Sequence, residues 1–155
     1  MLRAAAIALA VLAAAAVLGR AGATTRSASC AAGVHTAAGA TVRTFCGPAK
    51  ATAKIGSQTF RFSGGSCTVE GGYFNVNVGS ITLPPAKPKF AYLGIDVKPP
   101  RPGTHPNQVV AWQEPGKRYG LLPVSVTVKP GLKGGTFTGK VLGGAGTGSG
   151  TFTCS

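Results

Sequence analysis

The chain has 155 residues, with 16 Lys and Arg against three Asp and Glu, 24 glycines and 11 prolines. That is one domain's worth of sequence, and 12% charged residues with so many turn formers exclude a helical bundle and favour short strands joined by turns. The formal net charge of +13 gives a field that attracts polyanions through a screened, salt-dependent force.

Arg3 precedes the uncharged apolar run Ala4 to Leu18, and Ala21-Gly22-Ala23 has the small-x-small form of a signal-peptidase site. Residues 1–23 therefore read as a cleaved signal peptide, since the 15-residue run falls short of the roughly 20 needed to span a bilayer. Cleavage removes Arg3 and Arg20, so fourteen basic residues remain against Glu70, Asp96 and Glu114, a net charge near +11. Lipidation at Cys30 is disfavoured, because Ser27-Ala28-Ser29 lacks a leucine-type residue three positions earlier.

Residues 24–48 are small, polar and alanine-rich and read as a flexible N-terminal arm anchored by Cys30 and Cys46. Residues 49–155 read as the β-sandwich domain. Ala51, Ala53 and Ile55 alternate with Thr52 and Lys54, Gly56-Ser57 makes a turn, and Phe60 and Phe62 alternate with Thr59 and Arg61, which predicts a hairpin. Gly64-Gly65 leads into Ser66 to Glu70, Gly71-Gly72 turns again, and Phe74, Val76 and Val78 then place Asn75 and Asn77 on the opposite face. Lys89 to Val97 resumes the pattern after Pro84 to Pro88, and Lys98 to Pro106, with four prolines, predicts an exposed, extended loop. Gln108 to Gln113, Leu121 to Val128, Thr136 to Leu142 and Thr151 to Cys154 read as further strands, with Pro123 arguing for an edge or a strand start. The expected fold is an all-β antiparallel sandwich or small barrel of about seven to nine strands.

Four cysteines in an exported chain favour two disulfides. Of the three connectivities, Cys30–Cys46 closes a short N-terminal loop and Cys67–Cys154 ties an internal strand to the last one, and these are preferred. Metal binding is not expected, because no Cys-x-x-Cys pair exists and His35 and His105 fall outside metal-site spacings; no cofactor is implied either.

Gly134 to Lys140, GGTFTGK, has the spacing of a phosphate-binding loop, but Val141 stands where the magnesium-binding Ser or Thr belongs and no helix follows. His35 and His105 read as solvated surface histidines. Glu70, Asp96 and Glu114 could form a glycosidase-like pair only if two of them converge, and Asp96, between Ile95 and Val97, is expected to face water or pair with a lysine. The chain is thus read as a non-enzyme. For binding, Lys87, Lys89, Lys98 and Arg101 come nearest to a basic cluster. Trp112 and Tyr119 flank a turn beside Lys117 and Arg118, a combination suited to carbohydrate or a lipid headgroup, although core packing competes for Trp112. The aromatic residues do not interleave with the cations as a nucleic-acid stacking surface requires.

The segments IGSQTFRFSGGSC (55–67), FNVNVGS (74–80), GGTFTGKVLG (134–143) and GTFTC (150–154) resemble the pattern of the mycobacterial LpqH-type surface lipoprotein antigens. The family's lipobox cysteine is absent here, and Cys30 and Cys46 have no counterpart in it. The resemblance implies a surface or envelope location and no known catalysis, and it maps Cys67 and Cys154 onto the family's disulfide. The expected protein is a secreted or cell-envelope-associated β-domain with a binding or structural role. Its partner would be an anionic envelope polymer, a lipid headgroup or a surface protein. The alternatives are a carrier holding an apolar ligand or lipid between its sheets, a polyanion binder and, last, a hydrolase.

Overall fold

The computed structural model describes residues 30–155, so the expected signal peptide and the first part of the arm lie outside the described residues. What it describes is all-β. Eleven strands follow one another: β1 (Gly33–Ala37), β2 (Ala40–Thr44), β3 (Lys50–Ile55), β4 (Gln58–Ser63), β5 (Gly65–Glu70), β6 (Tyr73–Thr82), β7 (Tyr92–Val97), β8 (Gly103–Glu114), β9 (Lys117–Val128), β10 (Gly134–Val141) and β11 (Thr147–Thr153). Pairing along the order β1-β2-β6-β7-β8-β9-β10-β11-β3-β4 makes one antiparallel sheet, and β5 pairs with the first half of β6.

The sheet folds over on itself as a sandwich. Its two halves meet where Phe74 of β6 faces Phe152 of β11 at 6.2 Å between ring centroids, and where Phe60 of β4 faces Trp112 of β8 at 5.5 Å. β8 and β9, in the middle of the order, are 12 residues long and contain register shifts between His105 and Gln108 and between Gln108 and Val110, irregularities that bend a strand pair. Alternation supplies the core: Phe60 and Phe62, Phe74, Val76 and Val78, Leu93, Ile95 and Val97, and Val124, Val126 and Val128 are all buried.

Two aromatic–glycine exchanges pack β10 against β11. Gly135 is the cross-strand partner of Phe152, and Phe137 is the partner of Gly150. Each phenyl ring lies where a side chain on the opposing glycine would stand, so a Cβ at Gly150 would collide with the Phe137 ring and with the Thr52 carbonyl.

The two disulfides are Cys30–Cys46, with 5.8 Å between Cα atoms, and Cys67–Cys154, with 5.6 Å. The second joins β5 to the residue following β11, directly across the sandwich.

Six expectations are corrected. The strand count is eleven rather than seven to nine. Part of the excess comes from the presumed arm, where residues 33–44 form a hairpin that joins the sheet through Val42↔Thr82 and its neighbours. The pattern there is carried by Ala, Thr and Gly, whose weak contrast hides it, yet Ala40 and Val42 are buried, and the turn at Ala38 and Gly39 takes positive φ at both residues. The proline-rich segment is a loop only as far as Pro102, because β8 begins at Gly103 and its Pro106 sits at the bulge, where no ladder hydrogen bond is lost. Pro123 likewise lies inside β9 at a register shift rather than at an edge. His105 is consequently buried at 5% exposure, opposite Val126, with its Nε2 2.9 Å from the Arg101 carbonyl oxygen. His35 is half-buried in β1, with its ring Nδ1 3.3 Å from the Gly33 carbonyl oxygen.

Candidate functional site

The eight residues singled out for binding do not form one surface. Residues 83–91, between β6 and β7, fold against the β8–β9 turn, where the Gly116 amide donates to the Pro88 carbonyl at 2.8 Å and Arg118 donates to the Ala86 carbonyl at 3.1 Å. The Gln113 amide adds a bond to the Phe90 carbonyl at 3.0 Å. These contacts place Lys87 and Lys89 in a segment adjoining Lys117 and Arg118, and all four cations are exposed. Lys98 and Arg101 lie at the other end of β7 and β8, where the Lys98 ammonium stands 5.1 Å over the Tyr73 ring and the Arg101 carbonyl meets His105.

Trp112 is no contact residue. It is buried at 2% exposure and stacked under Tyr119, with ring centroids 5.3 Å apart and planes 11° from parallel. Phe60 completes the trio at 4.8 Å from Tyr119. Because β8 and β9 pair Trp112 with Tyr119, both rings take the inner face, and only the half-buried Tyr119 reaches the rim, where the Lys117 ammonium lies 4.9 Å over it. Beside this rim a hollow of about 530 Å³ is lined by Lys117, Arg118 and Tyr119 together with Val109, Leu122 and Leu142. Those three apolar side chains are 52%, 46% and 64% exposed, so the hollow combines two cations with unburied aliphatic groups. Glu114, opposite Lys117 in the ladder, is half-buried, and burial raises its carboxyl pKa above the ordinary value.

A second concavity, of about 490 Å³, occupies the outer face of β5, β6 and β7. Cross-strand pairing sets Thr68, Asn75 and Asp96 in one row and Ser66, Asn77 and Gly94 in the next. Since Gly94 has no side chain, the Tyr92 ring lies across it and its hydroxyl donates to Asn77 Oδ1 at 2.6 Å. Phe45 and Arg43, at the end of β2, close one side: Phe45 lies 5.7 Å from Tyr92, and the Arg43 guanidinium lies 5.5 Å over the Phe45 ring. Burial, reinforced by the nearby Asp96 charge, pushes the Tyr92 phenol up to about 12, and burial also raises the Asp96 carboxyl. Glu70 and Asp96 both line this hollow, whereas Glu114 and the two histidines do not. Asn75 and Asn77 were legible as an outer face, and the Gly71-Gly72 turn is the signal that sets Ser66 and Thr68 beside them; Arg43 and Phe45 join them only through the pairing of β2 with β6, for which the local sequence has no signal.

The outer face of the other sheet half carries a row of threonines. Thr104, Thr127, Thr136, Thr151 and Thr52 are successive cross-strand partners, and the row ends at Arg61. Within the row, Thr104 pairs with Thr127 at 3.0 Å and Thr52 with Thr151 at 2.9 Å, which makes it a stabilising hydroxyl ladder. The phosphate-loop spacing of residues 134–140 falls on β10, within this sheet, without a helix following it.

These features define an all-β, disulfide-stapled sandwich with its polar chemistry on the outside of the sheets. The two disulfides suit an oxidising compartment, and no helix among the described residues is long and apolar enough to cross a membrane. Comparisons of the chain with protein-family profiles, curated proteins and solved structures find no match.

Proposed function

We propose that this is a secreted or cell-envelope-associated, non-catalytic β-domain that binds an anionic lipid surface through its cationic end. The observation that carries the reading is the docking of residues 83–91 on the β8–β9 turn, which gathers Lys87 and Lys89 with Lys117 and Arg118, the last two lining one hollow with exposed Val109, Leu122 and Leu142. Cations alone would suit any polyanion; the unburied aliphatic side chains next to them favour a partner with an apolar layer beneath its charge. The signal-like N-terminus and the resemblance to LpqH-type surface antigens support the same location. The interior between the sheets is filled by Phe60, Phe74, Trp112, Phe137 and Phe152, so the reading rests on the outer surface rather than on an enclosed ligand.

Vesicle sedimentation tests it. The disulfide-bonded chain is expected to pellet with phosphatidylglycerol-containing vesicles at low salt and not with neutral phosphatidylcholine vesicles, and a Lys117→Ala/Arg118→Ala variant should lose most of the binding. Each cation near the surface contributes about 1 kcal/mol, so the pair is worth roughly a 30-fold change in affinity. Equal binding by that variant, or equal binding to neutral vesicles, would remove the proposal. Capture of a soluble anionic polymer in preference to vesicles would transfer the site to envelope polymer.

A further inference from the structure

We propose that the hollow on the outer face of β5, β6 and β7 is a second binding site, separate from the cationic end, and that its ligand is a neutral glycan. The chemistry of the walls favours such a ligand. Asn75 and Asn77 offer amide donors and acceptors, Ser66 and Thr68 offer hydroxyls, and Asp96 and Glu70 offer acceptors only. A sugar hydroxyl is donor and acceptor at once, so a mixed array of this kind answers it group for group. A phosphate or carboxylate ligand, which only accepts, would leave Asp96 and Glu70 facing another anion.

The distribution of charge points the same way. The chain has only three acidic residues against 16 basic ones, and two of the three line this hollow. Arg43 is the cation there, and its guanidinium is placed over the Phe45 ring. A surface that concentrates its carboxylates in the one place where amides and hydroxyls also converge is built against polyanions at that place, whatever the field of the whole molecule attracts elsewhere.

The hollow is also preorganised. The Tyr92 hydroxyl holds Asn77 by Oδ1, which commits the amide oxygen and leaves its NH₂ group as the donor for the hollow. Phe45, held between Tyr92 and Arg43, gives the hollow an aromatic wall against which the C–H face of a sugar ring can pack. Apart from Phe45, which follows β2, the side chains stand on paired strands of the scaffold, and the volume of about 490 Å³ falls within the range of small-ligand sites.

The test is an amide-resolved NMR titration of the disulfide-bonded chain with malto-, cello-, manno- and chito-oligosaccharides, at low salt and at about 0.3 M salt, where charges are screened over a few ångströms. Shifts are expected at the side-chain amides of Asn75 and Asn77 and at the backbone of Ser66, Thr68 and Asp96, of the same size at both salts. Asp96→Asn and Asn75→Ala should each weaken binding about tenfold, and Lys117→Ala/Arg118→Ala should leave it unchanged. The same spectra report whether each variant is folded. The wild-type titration decides independently of the variants: no shift with any of the four glycans, shifts centred on Lys117 and Arg118, or shifts abolished by salt would each overturn the site. Vesicle binding plays no part in this measurement, so either surface can fail while the other stands.

Discussion

Removing the Cys67–Cys154 disulfide should cost this domain more than removing Cys30–Cys46, by an amount set by chain length. The first bridge spans 87 residues of sequence and the second 16. Treating each as a restriction on the unfolded chain gives about 4.6 kcal/mol for the longer loop and about 3.1 kcal/mol for the shorter, a difference of about 1.5 kcal/mol. Cys67 and Cys154 also pack against the core cluster, so truncating them to alanine removes contacts and adds to the larger figure. Against a total stability of about 5–15 kcal/mol, Cys67→Ala/Cys154→Ala is expected to lower Tm by about 15–20 °C. The assay is equilibrium urea unfolding of the intact protein and the two double-alanine variants, followed by circular dichroism. The m-value should rise in both variants as their unfolded states expand, and more in Cys67→Ala/Cys154→Ala. Equal losses from the two variants, or a loss below about 1 kcal/mol from the longer bridge, would show that the loop-closure reasoning is wrong for this chain.

Gly150→Ala should destabilise by about 3 kcal/mol in the same assay, since the added methyl meets both the Phe137 ring and the Thr52 carbonyl, and Phe137→Ala should cost about 3–5 kcal/mol. Their combination should fall short of the sum, because the smaller residue at 137 removes one of the two collisions; additive losses would mean that ring and glycine are independent. Trp112, the chain's single tryptophan, should emit at short wavelength and resist iodide quenching, and solvent-quenched emission would contradict its burial. Tyr92 should ionise at about 12 and not near the ordinary value of 10.0, read as the late phase of the ultraviolet phenolate titration that Tyr92→Phe abolishes. With the folded pKa above the unfolded one, the neutral phenol favours the folded state. Stability from this source should therefore be intact below pH 10 and decline as pH rises towards about 12, with a shallower decline in Tyr92→Phe.

How much of this was legible in the sequence follows from how strongly each segment contrasts its two faces. β4 and β6 alternate Phe and Val with Thr, Arg and Asn, and their strand character and buried face could be read directly. The β1–β2 hairpin hid because Ala and Thr differ too little for alternation to be visible, and His105 was misplaced because Pro106 two-dimensionally reads as a loop signal while in the fold it occupies a bulge. The basic cluster failed differently. Lys87 and Lys89 are nearer in sequence to Lys98 and Arg101, but the length of β7 carries Lys98 and Arg101 to the opposite end of the sheet from the turn where Lys117 and Arg118 stand. The outer hollow of β5, β6 and β7 is half legible: the Gly71-Gly72 turn pairs β5 with β6, whereas β2 reaches the same edge of β6 by a long-range pairing that no local pattern encodes.

The exchange of rings for glycines between β10 and β11 also singles out one register for the pair. A slip of two residues keeps every side chain on its proper face, so face polarity alone cannot reject it. In one direction such a slip sets Phe137 against Phe152 and Gly135 against Cys154; in the other it carries Phe152 to Lys133, beyond the end of β10. Either mistake leaves two rings contending for one space or a ring without its slot. It also shifts Cys154 by about 6.8 Å along the strand, away from a partner whose Cα must lie within roughly 7 Å for the bond to form. Volume matching and the Cys67–Cys154 bond therefore select the same alignment.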